Sequence, residues 1–137
     1  MVVDPGLAGR TFAPTPPYTV SREKILEFGS AIGAVPLEDG HVAPLTFPIV
    51  VAFQAMTQFL AEPGIGLELH HVVHGSQKIE QMRPIGSGDH LTATLTIDSV
   101  RSAAGADIIS TSTKLSTVEG EHVSTAQATL VHRSEAP

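Results

Sequence analysis

"LTFPIVVAFQAMTQFLAEPG", residues 45 to 64, is the most apolar run of the chain, and its reading decides the fold. The β-branched cluster Ile49, Val50 and Val51 would permit a strand, but a run of about fourteen residues has helix length. Thr46 offers a cap, Pro48 falls in the first turn where proline is tolerated, and Pro63 with Gly64 ends the run. The pattern predicts a helix over about 46 to 61. Ala52, Ala55 and Met56 let it lie close under a sheet, and with so few charges it must be wrapped by something.

The segments C-terminal to this helix read as its wrapping. "LHHVVHGSQKIEQMRP" (69–84) is a long strand ending at Pro84. "HLTATLTIDSVRS" (90–102) alternates Leu91, Ala93, Leu95 and Ile97 with Thr92, Thr94, Thr96 and Asp98, the period of a sheet with one buried face. "ADIISTSTKLSTV" (106–118) and "HVSTAQATLVHR" (122–133) complete the set, joined by the turns "SAAG" and "EGE". Upstream, Ser21 caps and Glu23 complements the dipole of a short helix over about 22 to 32, whose apolar face is Ile25, Leu26, Phe28 and Ile32. "AVPLEDGHVAP" (34–44) is a loop by its prolines and Asp-Gly, and residues 1 to 17, with four prolines, form an extended lead-in that wraps another surface. The fold class is α+β: one domain spanning 1–137, a curved antiparallel sheet around one long central helix, which is the hot-dog arrangement. An exposed sheet edge with little charge favours pairing with a second chain.

Composition excludes several functions. The 137 residues suit a single domain, and 42% apolar against 16% charged residues describes a folded chain. Eight Lys and Arg against fourteen Asp and Glu, net −6, leave no basic stripe for nucleic acid. The absence of Cys removes disulfides, thiol catalysis and thiolate metal sites. With no leader pattern and no uninterrupted apolar 18-mer, the expectation is a cytoplasmic protein with no membrane span.

"HGSQKIEQMRPIGSGDHL" (74–91) resembles the hot-dog segment of MaoC-like dehydratases and hydratases, especially their non-catalytic N-terminal half or subunit type, with Glu80 before Arg83-Pro84 and then Gly88-Asp89 and an apolar residue. "VAPLTF" (42–47) resembles the lead into the central helix in the same group, and the similarity runs from about Tyr18 to Val131. The resemblance implies (3R)-hydroxyacyl or enoyl thioester chemistry, with water removed or added at the β-carbon. It implies no cofactor beyond the coenzyme A or acyl-carrier phosphopantetheine borne by the substrate. Active members use an Asp and a His in the pattern Gly-Asp-x-Asn-Pro-x-His, with a backbone N–H at the head of the central helix polarising the thioester carbonyl.

The chain departs from that pattern where the chemistry sits. Gly33 matches the glycine, but Ala34 stands in the place of the Asp; Pro36 matches the proline, and no His comes after it at the family spacing. The loop is shorter, and Pro44-Leu45 replaces the His-Gly pair ahead of the helix. The resemblance therefore implies a non-catalytic, acyl-binding subunit, as in mycolic-acid-type elongation systems whose partner supplies Asp and His, in a heterodimer with a catalytic hot-dog chain or in a homodimer. Two alternatives stay open: a hydratase or acyl-CoA thioesterase using Asp39 and His41, and a homodimer binding acyl groups or small apolar ligands.

Individual residues sharpen these readings. "DGHV" (39–42) resembles part of the Asp-x-x-Gly-His-Val pattern of hot-dog thioesterases, without its preceding strand or subsequent Asn-rich stretch; Asp39 and His41 share a face only if the segment is extended. Leu45, Thr46 and Phe47 would offer backbone N–H groups to a thioester carbonyl. Arg83 is a candidate phosphate ligand by its planar fork, against a plain rim ion pair with Glu80. Asp89 is expected to hold its turn through backbone N–H groups. His70, His71 and His74 diverge or sit too far apart on a strand for one ion, so no metal is expected there, although one of them could face an acyl tunnel.

Overall fold

The computed structural model describes residues 3–133. Its elements are β1 (Tyr18–Thr19), α1 (Arg22–Ala31), α2 (Pro48–Leu60), β2 (Val72–Gln81), β3 (His90–Ala103), β4 (Ala106–Thr117) and β5 (His122–His132). The strands form one antiparallel sheet in the order β1-β3-β4-β5-β2, wrapped on α2: the hot-dog fold.

The sheet obeys its alternation. Leu91, Ala93, Leu95 and Ile97 are buried, while Thr92, Thr94 and Thr96 are only half-buried and Asp98 is exposed. They meet Val51, Ala55 and Phe59 of α2, where the small Ala52 and Ala55 allow the close approach. Burying such apolar side chains contributes on the order of 1.5–3 kcal/mol each, so this helix-sheet contact carries the fold.

Four local expectations are corrected. Thr46 is not the cap of α2: residues 45–47 form a turn, and Phe47 occupies the N-cap with φ −55° and ψ −32°, without a side-chain cap bond. An N-cap side chain works from extended backbone, which a helical entry does not provide. Ile32 belongs to no buried face, being the exposed C-cap of α1. Leu69–His71 form a 3-10 turn rather than the start of a strand. The lead-in wraps its own sheet and helix: Phe12 N–H and Thr15 N–H donate to Leu95 and Ala93 carbonyls (both 2.9 Å), and the Phe12 ring lies 5.2 Å from that of Phe59.

The lead-in and β1 together cover the outer side of β3, so the open edge of the sheet is β2, ten residues long. Among the described residues no helix is long and apolar enough to cross a membrane.

Candidate functional site

Gly33 ends α1 with φ +72°, and Ala34 N–H returns to the Gly29 carbonyl at 2.8 Å, a helix stop that only a residue free to enter the left-handed region closes without strain. Further along, His41 to Ala43 lie on the loop that leaves β2. Ala43 N–H donates to Ile85 O (2.8 Å), Ser87 N–H to His41 O (2.9 Å), and His41 Nδ1 meets Ser87 Oγ at 2.9 Å. A Cβ on Gly86 would stand 3.1 Å from His41 O, so this glycine lets the two backbones touch. "RPIGSGD" is thus the platform on which the approach to the central helix is laid.

Asp89 and Arg83 hold that platform rigid. Asp89 Oδ2 accepts the Gly86 N–H at 2.9 Å, the turn-holding role expected of it. Arg83 donates to Asp89 (2.9 and 3.2 Å), to Glu121 (3.1 and 3.3 Å) and to its neighbour's carbonyl, Pro84 O (2.8 Å). All five guanidinium N–H groups are engaged. The expectation of a phosphate ligand at Arg83 is corrected accordingly: no donor is left over, and its ionic partners are Asp89 and Glu121, not Glu80. The two carboxylates, Asp89 first, hold the guanidinium above its ordinary range. Burial pushes the Asp89 carboxyl up, but the Arg83 hydrogen bonds and the Gly86 N–H outweigh it and bring it below the usual range.

Asp39 and His41 are held by different neighbours. The Asp39 side chain is 87% exposed and pairs with Arg22 at 3.2 Å, while Arg22 Nε also donates to the Asp39 carbonyl (2.7 Å). Glu38 and Asp39 have φ of 44° and 56°, so the segment turns sharply and lacks the extended form that would place residues 39 and 41 on one face.

Two openings flank this segment. Beneath it, a cavity of about 290 Å³ is lined by Ile25, Leu26, Ser30, Ala34, Val35 and Leu37. Beyond it, at the head of α2, a cleft of about 530 Å³ is bounded by Leu45, Thr46, Gln77, Ile79 and Gln81. Phe47 N–H is taken by Pro44 O at 3.0 Å, whereas the Leu45 and Thr46 amides have no acceptor among the described residues. Phe47 contributes its ring, fully buried and edge-on to Phe28 at 5.5 Å. Gln81, which lines the same cleft, has its Oε1 buried without a hydrogen-bond partner, a polar atom the sequence did not single out.

A third opening, about 350 Å³, runs between α2 and β2 and is lined by Phe53, Met56, Leu60, Val72, His74 and Leu130. His74 is the histidine of its run that faces an apolar channel. His71 turns away from it, toward Glu68 and His132.

The model of the family described as "FAS1-like, dehydratase domain region" matches residues 7–126. A UPF0336 protein of Leifsonia xyli is 43% identical over 145 residues, covering 97% of each chain. Among solved structures, a chain of the C-terminally truncated HadBC (3R-hydroxyacyl-ACP dehydratase) complex of Mycobacterium tuberculosis superposes with a TM-score of 0.81 at 28% identity, over 96% of this chain and 99% of that one. A MaoC-like dehydratase gives 0.79 at 28% identity, over 92% of this chain and 42% of that one.

Proposed function

The chain belongs to the FAS1-like dehydratase-domain family and has its MaoC-like hot-dog fold, and from this premise we propose that it is a non-catalytic, acyl-thioester-binding subunit of a hydroxyacyl dehydratase or hydratase. The observation that carries the reading is the chemistry of the segment before α2. Ala34, at the position where the family resemblance expects the Asp, lines an apolar cavity. The nearby acid, Asp39, is turned into solvent on Arg22. A base for α-proton removal and an acid for the departing water must both reach the substrate carbons, and this segment presents neither as a converging pair.

What remains suits binding. The Leu45 and Thr46 amides seat a thioester carbonyl, and the apolar channel along Phe53, Met56 and Leu60 takes an acyl tail. The carrier, coenzyme A or acyl carrier protein, arrives with the substrate. The partner is a second hot-dog chain that contributes Asp and His, an arrangement supported by the likeness to a chain of the HadBC complex and by the open β2 edge.

Hydration of a crotonyl or longer enoyl thioester tests this. The purified chain alone is expected to turn over well below about 1 s⁻¹, the low end of ordinary enzyme rates. Turnover is expected to appear on adding an Asp/His-bearing hot-dog partner, and to survive His41→Ala. Turnover by the chain alone at about 1 s⁻¹ or faster, abolished by D39A or H41A, would overturn the subunit reading in favour of an autonomous enzyme.

A further inference from the structure

At the end of the sheet opposite the loop that leaves β2, Glu68, His71 and His132 bring one ligand atom each to within 4.8 Å of one another. The topology assembles them. Glu68 and His71 are three residues apart around the 3-10 turn Leu69–His71, a spacing that stacks side chains on one side of such a turn. The antiparallel register Val72↔His132 then sets the end of β5 beside that turn, and Arg133 N–H fixes it to the His71 carbonyl at 3.2 Å.

The orientation of the His132 ring is set by its neighbours. Its ring is 1% exposed, and Nε2 accepts the Glu68 backbone N–H at 3.2 Å. Nδ1 faces the buried carboxylate of Asp107 at 3.8 Å, beyond hydrogen-bond reach, and Asp107 is itself fixed by Val3 N–H (3.0 Å) and Ser102 Oγ (2.8 Å). Asp107 thus lies on the Nδ1 side of the ring without a hydrogen bond to it, and the Nε2 lone pair is aimed at Glu68, whose backbone N–H it accepts. On the other side, His71 Nδ1 is buried with no partner, 3.9 Å from Glu68 Oε1. A buried imidazole nitrogen without a protein partner is costly, and a water or an ion satisfies it.

We propose that Glu68, His71 and His132 form a binding site for a divalent transition metal of the zinc type. Two imidazoles and a carboxylate are a borderline donor set suited to Zn²⁺, and hard cations such as Mg²⁺ and Ca²⁺ prefer all-oxygen sites. Ligand atoms about 2.0–2.1 Å from a tetrahedral Zn²⁺ lie roughly 3.4 Å apart, against 3.9 Å between His71 Nδ1 and Glu68 Oε1, so the site closes as the Glu68 side chain turns inward, with His132 Nε2 exchanging the Glu68 backbone N–H for the ion. The Glu68 carboxylate is free to make that movement: its neighbours are His70 Nε2 at 3.7 Å and His71, and its side chain is 54% exposed. The bound ion staples the connection between α2 and β2 to the end of β5, next to the channel lined by Val72, His74 and Leu130.

The test uses the full chain with any affinity tag removed, stripped with chelator and titrated with Zn²⁺ alone by calorimetry, with elemental analysis for stoichiometry. One Zn²⁺ per chain at micromolar Kd or tighter is expected, with Tm raised by about 5 °C or more at saturating metal. Co²⁺ in its place is expected to show the intense visible bands of tetrahedral coordination. E68Q and H71A, both at positions that leave the core intact, are expected to weaken binding at least about tenfold while circular dichroism stays native, and H74A to bind as the wild type does. No stoichiometric Zn²⁺, or affinity unchanged in both E68Q and H71A, would overturn the site. Neither result touches the thioester assay, so the two proposals fail separately.

Discussion

Asp89 lies six residues beyond Arg83 and is joined to it by two hydrogen bonds, while Glu121, which shares the same guanidinium, lies 38 residues away. At this scale the sequence showed the short-range half of the arrangement: Asp89 in a Gly-rich loop predicts a turn-holding carboxylate. It did not show the Glu121 contact, because nothing in either local stretch encodes which strand ends meet. The same limit hid His132 and Asp107 from the histidine run at 70–74. Asp89→Asn is expected to cost roughly 1–3 kcal/mol by denaturant unfolding, since the substitution leaves Arg83 short of an acceptor. The sign with pH comes from the lowered carboxyl. Its contribution is fully present above the ordinary Asp value near ~3.9 and is lost as pH falls through the folded-state value below that. The gap between wild type and D89N should therefore be constant from neutral to weakly acidic pH and close only under strong acid; a gap that widened on acidification would refute the assignment.

Helices α1 and α2 begin in different ways, and the difference is measurable. Ser21 has extended backbone (φ −105°, ψ 150°), and its Oγ accepts the Lys24 N–H at 3.0 Å, so S21A is expected to destabilise by about 1 kcal/mol. Thr46, with no cap bond, is expected to change stability by less than about 0.5 kcal/mol as T46A. Equal losses in the two variants would contradict the observed start of α2. Phe47→Ala, which empties a fully buried site against Phe28, is expected to cost about 3–5 kcal/mol. Existence and type of both helices and of β3, β4 and β5 were legible because period and length agreed along each segment. The start of α2 was not, because Thr46 and Pro48 satisfy a capping rule that the preceding turn overrides, and the 3-10 turn at Leu69–His71 is indistinguishable by composition from the strand it leads into.

For the whole molecule the question is what covers β2. The other side of the sheet is closed by β1 and the lead-in, so one row of backbone N–H and C=O groups along ten residues is left open, a template for a second strand. Beside it Phe53 stands 57% exposed on α2 at the mouth of the channel shared with His74, an aromatic ring that a paired chain would bury. If two copies meet edge to edge, a charge at Phe53 is placed in the contact; if the chain is a monomer, it is placed in water. Light scattering at micromolar concentration is expected to give twice the mass of one chain for the wild type, or one-to-one association with the proposed Asp/His-bearing hot-dog partner when such a chain is supplied. F53K, whose ring contributes little to the monomer's own core, is expected to keep its thermal midpoint within a few degrees while losing at least about tenfold in association, the effect of leaving an unpaired charge in a desolvated interface. A monomeric wild type that also ignores the partner, with F53K indistinguishable from it, would mean that the open edge and the exposed ring are features of a solitary chain.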